Sequence, residues 1–183
     1  MSRTRVGLLI LFVLVAGVII WFVIADRNAG IKASVASANG SNYSLQLPGE
    51  MIPDNLNDNA SIQYSDASSG ISFFVIDDSK EKIASFGLDY DLETYMKIST
   101  RTLDSAGLHV NSRIEIGKHP ALQTEIEGKR TGVNSKFILT CIETPTFYYR
   151  LVIWSPAEKF EANKADMLAI IQSFSEENGG IKN

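Results

Sequence analysis

Cys141, His109, His119 and a scatter of aspartates are the side chains whose types could do chemistry. Cys141 is the single cysteine, so it has no intramolecular disulfide partner. A nucleophilic thiol needs exposure and basic neighbours. Cys141 instead follows Ile138 and Leu139 and precedes Ile142 in a segment that reads as a strand, which predicts a small buried hydrophobe. His109 stands at a strand start and His119 in a turn, neither with a second histidine at ligand spacing, so both read as exposed or capping residues. Asp54 and Asp58, then Asp77 and Asp78, could offer oxygens to a calcium ion, but they lack the dense alternating spacing of a calcium loop. Asp89 and Asp91 read more simply as a loop residue and a helix cap. The sequence has no Gly-rich phosphate loop, G-x-S-x-G, H-E-x-x-H or C-x-x-C. No catalytic residue, metal ligand or cofactor is assigned on this basis, and the chain is not expected to be an enzyme. Asn39, Asn42 and Asn59 each open an N-x-S sequon, which matters only in a host that glycosylates.

The stretch that dominates the sequence is Val6 to Ala25, twenty residues with no charge and no proline, including Leu11, Val15 and Ile20. As a helix it is about 30 Å long, the thickness of a bilayer's hydrocarbon core, and a helix satisfies its own backbone groups in lipid. Arg3 and Arg5 precede it; Arg27 and Lys32 follow, with Asp26 beside them. The basic flank and the five-residue tail place the N-terminus in the cytoplasm and the remaining domain on the far side, periplasmic or extracellular. Trp21 and Phe22 lie near the outer end, where aromatic rings favour the interface. Cleavage after Val23-Ile24-Ala25 is the competing reading, but the run is longer than the ~7–15 residues of a signal h-region. The expected organisation is therefore a cytoplasmic tail (1–5), a membrane anchor (6–25), a flexible linker (26–42), a domain (43–175) and a polar tail (176–183).

The residues after Ala25 hold all 21 acidic groups and 15 of the 17 basic ones, a net charge of −6. That balance, with no basic run, argues against nucleic acid and against an anionic lipid surface as the main partner. About 150 residues suffice for one domain with a real core. Asp26 to Asn42 is small and polar and reads as a tether spanning roughly 20–25 Å as a coil. Tyr43 to Leu47 alternates and stops at Pro48-Gly49, a short strand. Glu50 to Ala60, with Pro53 and Glu50, Asp54, Asn57 and Asp58, reads as a long loop whose polar residues have no core task, hence a candidate partner-binding loop. Ser61 to Ser65 and Ile71 to Asp77 form strands about a turn at Ser68-Ser69-Gly70; Ile71, Phe73 and Val75 share one face, Phe74 and Ile76 the other. Ser79 to Phe86 reads as a short helix. Asp91 caps the next helix, whose inward stripe is Leu92, Tyr95, Met96, Ser99, Thr102 and Leu103 and whose stop is Gly107. Four strands follow, at 110–116, 121–129, 135–143 and 147–154, separated by turns bearing Gly or Pro. The last is the most hydrophobic and belongs at the centre of the sheet. Ser155-Pro156-Ala157-Glu158 reads as a capping box opening a final helix with Phe160, Met167, Leu168, Ile171 and Phe174 on one stripe.

Several stretches together resemble the PsbP-like (Mog/PsbP) fold, which many bacterial envelope proteins share: Tyr43-Ser44-Leu45-Gln46-Leu47-Pro48, Leu92-Glu93-Thr94-Tyr95, Gly117-Lys118-His119-Pro120-Ala121, Tyr148-Tyr149-Arg150-Leu151 before Pro156, and Ser173-Phe174. The resemblance spans Tyr43 to Phe174. It departs at Met51 and Ile52, where many members carry Trp after the Pro-Gly turn. It implies an α+β domain, an αβα sandwich with a mostly antiparallel sheet, behind the single transmembrane helix. It also implies a non-enzymatic accessory or adaptor subunit, bound to protein subunits of a larger membrane or envelope complex. The alternative is an extracytoplasmic module that binds a lipid or small apolar molecule between sheet and helices, or calcium weakly.

Overall fold

The structure is a computed structural model and describes residues 30–37, 40–101, 103 and 110–177. The strands in chain order are β1 (Ile31–Ala36), β2 (Asn42–Leu47), β3 (Ile52–Pro53), β4 (Ile62–Ser65), β5 (Ser72–Ser79), β6 (Ser112–Ile116), β7 (His119–Arg130), β8 (Val133–Glu143), β9 (Phe147–Pro156) and β10 (Ser175–Glu176). The helices are α1 (Lys80–Ser85), α2 (Leu92–Arg101) and α3 (Phe160–Gln172). A seven-stranded sheet has the order β3-β4-β5-β9-β8-β7-β6, and a three-stranded sheet the order β1-β2-β10. Every strand pair described is antiparallel.

Side chains alternate across a strand, so each apolar strand of the large sheet feeds two cores. On one face Phe73, Val75, Tyr149, Leu151 and Ile153 join Tyr43, Leu45 and Leu47 of β2 and Phe160, Met167 and Ile171 of α3. On the other face Phe74, Ile76, Tyr148, Val152 and Trp154 join Leu92, Tyr95 and Met96 of α2. β9 sits fourth of seven, where a strand with two apolar faces must be. Cys141 is fully buried on the α2 face, as its apolar neighbours predict. Two hairpins set the meander's register. Gly117 takes a left-handed φ of 62° between β6 and β7, and Thr131 and Gly132 both take positive φ, 47° and 83°, between β7 and β8. Such turns match the twist of paired strands.

Four expectations are corrected. The segment read as a tether from 26 to 42 contains β1, paired along β2 from Ile31↔Leu47 to Ala36↔Asn42. Its small residues pair because backbone hydrogen bonds need no bulky side chain. The loop from Glu50 to Ala60 contains β3, whose Ile52 and Pro53 pair with Ser65 and Tyr64. The final helix does not begin at the Ser155 capping box. The β8–β9 ladder runs on through Lys136↔Ser155 and Ser135↔Pro156, Ser155 is fully buried, and α3 starts at Phe160. The polar tail begins later than 176, since Ser175 and Glu176 form β10 against β2. Among the described residues no helix is long and apolar enough to cross a membrane. The Val6–Ala25 run, with Leu11, Val15 and Ile20, lies outside the described residues, as do Asn39, Thr102, Gly107 and His109.

Candidate functional site

The Glu50–Ala60 loop is tied to the domain by its own polar groups. The side-chain oxygen of Gln63 on β4 accepts the N–H groups of Leu56 at 2.6 Å and Asn57 at 2.8 Å. The Asp54 carboxylate accepts the Ser65 hydroxyl at 2.7 Å and the Asn55 N–H at 2.7 Å. Those donors, Ser65 first, hold its carboxyl below the usual range. Asn57 Oδ1 accepts the Asn59 N–H at 2.9 Å, closing a local turn. Asp54 and Asn57 therefore do have structural tasks, against the sequence expectation, whereas Glu50 and Asp58 remain exposed. From across the sheet Arg130 donates to the Leu56 carbonyl.

The α2 face of the sheet holds two cavities of about 200 Å³ each, the first beneath this loop, and Arg150 lines both. The first is floored by Phe74, Phe137 and Trp154, walled by Asn57, Asn59 and Leu103, and rimmed by Arg130. The Arg130 guanidinium lies 5.3 Å above the Trp154 ring, a cation–π contact. Trp154 packs against Phe74 and Phe137, each with ring centroids 5.9 Å away. The second cavity contains Asp78, Tyr95 and Arg150 and opens past Phe86 and Leu88. There the Tyr95 hydroxyl donates to Asp78 at 2.6 Å and its ring stacks on Tyr148 at 4.7 Å. Burial, with Asp78 adding to it, pushes the Tyr95 hydroxyl well above its ordinary value. Cys141, paired across strands with Arg150, has its thiol pushed up to about 12 by burial.

The remaining sequence candidates are dispersed. Asp77 and Asp78 are adjacent on β5 and so face opposite sides. Asp77 accepts the Ser37 and Ser41 hydroxyls at 2.6 and 2.8 Å, while Asp78 takes Tyr95. Asp54 and Asp58 stay on the loop, so the four aspartates make no shared oxygen cage. Among the described residues no three His, Cys, Asp or Glu side chains come together for a metal ion. His119 opens β7, half-buried, with Nε2 4.0 Å from Glu176, which itself accepts Thr144 at 2.9 Å and Tyr149 at 3.0 Å. Asp91 caps α2 through the Thr94 N–H at 2.7 Å, as expected. Sequence reasoning missed Arg130 and the cavity. The available signal was alternation along β7, which sets Arg130 on the same face as Leu122 and Ile126.

No family model matches this chain, and no curated protein matches it. Solved structures do. LpqN of Mycobacterium tuberculosis, described as involved in cell envelope biogenesis, aligns with a TM-score of 0.55 at 11% identity over 81% of this chain and 91% of its own. The cyanobacterial PsbP of Synechocystis, CyanoP, aligns with a TM-score of 0.55 at 9% identity over 81% and 95%. The fold is PsbP-like. A protein of Bacteroides thetaiotaomicron aligns with the same score of 0.55 at 10% identity over 82% of this chain, which spans only 50% of that longer chain. At these identities the likeness concerns the PsbP-like architecture alone.

Proposed function

We propose that this chain is a non-enzymatic, membrane-anchored accessory subunit whose extracytoplasmic PsbP-like domain binds a larger membrane or envelope assembly. The observation that carries this is the nearness of the two parts: only five residues separate Ala25, the end of the uncharged apolar run, from Ile31, where β1 starts. A chain of that length reaches at most about 20 Å. The domain is then held at the membrane surface, so even a weak contact with a neighbouring membrane protein becomes effectively intramolecular. The envelope role given for LpqN fits that setting. Three of the side chains that could have done chemistry have structural places: Cys141 is sealed, and Asp77 and Asp78 are hydrogen-bonded into opposite faces.

Two measurements test the reading. A reporter enzyme active only outside the cytoplasm, fused after Asn183, is expected to be active; activity of a cytoplasmic reporter instead would overturn the topology. Pull-downs from membranes then compare the full chain with one starting at Gly30, which keeps β1. The anchored chain is expected to retain partner subunits that the anchorless one loses. Equal capture by both would show that anchoring contributes nothing.

A further inference from the structure

We propose that the cavity under the Glu50–Ala60 loop is a binding site for a small organic carboxylate whose apolar part is about the size of one aromatic ring, with Arg130 holding the carboxylate. The lining carries the argument. It contains two arginines, two asparagines and six apolar side chains, and no acid. Its volume, about 200 Å³, slightly exceeds the ~150 Å³ of an apolar protein cavity that takes up benzene. The apolar floor is aromatic: Phe74, Phe137 and Trp154 line it and pack on one another, which offers ring surface to a flat apolar group.

The two arginines are not equivalent. Arg150, at the inner end, also lines the neighbouring cavity, where Asp78 supplies a negative charge. Arg130 is at the rim and forms no ion pair among the described residues. It is oriented by the Leu56 carbonyl, which takes one N–H, and by the Trp154 ring beneath its plane. A guanidinium has five N–H donors, so donors remain for a planar carboxylate in bidentate fashion. The ligand therefore lies with its charge at the rim and its ring inward. The site does not depend on the membrane anchor, and its failure would leave the accessory-subunit reading standing.

Trp154 reports directly on this cavity. The full chain with Trp21→Phe, in nanodiscs of zwitterionic lipid, leaves Trp154 as the single tryptophan. Titration with phenylacetate is expected to give a saturable change in its fluorescence at millimolar or lower concentration, and the uncharged isostere 2-phenylethanol to bind at least tenfold more weakly. Equal affinity for the two, or no saturable response to phenylacetate, would overturn the proposal, and neither outcome requires a substitution within the domain. Arg130→Gln is expected to weaken phenylacetate at least tenfold more than 2-phenylethanol; equal weakening of both would remove Arg130 from the site. Chain length separates a compact acid from a membrane fatty acid. Hexanoate should bind about as well as phenylacetate, and decanoate no better. A steady gain of about fourfold per added carbon, the value of continued apolar burial, would identify a lipid chain and overturn the size limit.

Discussion

Cys141 shows how far a single residue can be argued from its neighbours. Its surroundings in sequence predicted burial, and the thiol is fully buried with its ionisation pushed up to about 12. Alkylation by a bulky maleimide at pH 8 is expected to be negligible in the folded protein and rapid in denaturant, so the labelling rate reads domain opening. Rapid labelling of the native state would contradict the burial. Burial also raises the hydroxyls of Tyr43, Tyr95, Tyr148 and Tyr149. The folded state keeps these protons when the unfolded chain has released its own. Their stabilising contribution is therefore complete below the ordinary values, 9.0 for Cys and 10.0 for Tyr, and is lost as pH rises past them. Phenolate absorbance is expected to appear for these tyrosines in one step with loss of near-ultraviolet dichroism. Gradual, dichroism-neutral titration would contradict it. Arg130 marks the limit of reading at this scale. Its position on the apolar face follows from alternation, but its meeting with Leu56, 74 positions earlier in the chain, depends on tertiary packing.

Elements with strong alternation were legible, and weakly apolar ones were not. The meander, β5, α2 and the central place of β9 follow from two-residue and helical spacing in the sequence. β1 did not, because its IKASVA sequence holds three small residues and one lysine and resembles linker composition. What makes it a strand is the free edge of β2, with Lys32 joined to Glu177 at 2.7 Å as a surface clasp. The start of α3 was misread for a similar reason: a local capping pattern lost to a ladder with β8. The tether reading and the strand reading make opposite forecasts for truncation. Starting the chain at Asn42 removes β1 and two donors to the buried Asp77, Ser37 and Ser41. Losing such hydrogen bonds to a buried acid costs about 2–3 kcal/mol, which at roughly 2–4 °C per kcal/mol lowers Tm by about 5–10 °C. A chain starting at Gly30 is expected to melt as the full domain does. Identical melting of the two truncations would restore the tether.

At the scale of the whole molecule the register shows at which end of the domain β1 begins, and under the proposed anchor that end is expected to face the membrane. Ile31 pairs with Leu47, and the chain then passes through Pro48 and Gly49 to Ile52, which pairs with Ser65. Ser65 pairs with Ser72, at the Trp154 end of β5. The other end of β5 is Ser79, seven steps and about 23 Å away, where it pairs with Phe147 and leads into α1. Two exposed apolar residues mark these ends: Ile52 is 62% exposed near the chain's exit, and Phe86 is 71% exposed beyond α1. A domain held by five residues has little room to turn over, so Ile52 should face the headgroups and Phe86 should face away. Because Cys141 is sealed, Ile52→Cys and Phe86→Cys each provide one labelling site in the full chain. Spin labels at the two positions, in bilayers carrying a headgroup-attached relaxation agent, are expected to differ, with strong relaxation at 52 and little at 86. Both substitutions are on exposed surface and should leave the fold intact, which the melting curve checks. Equal relaxation at both sites would mean that the domain tumbles freely. In that case the short connection would set only its distance from the membrane, and a partner could be met from either end.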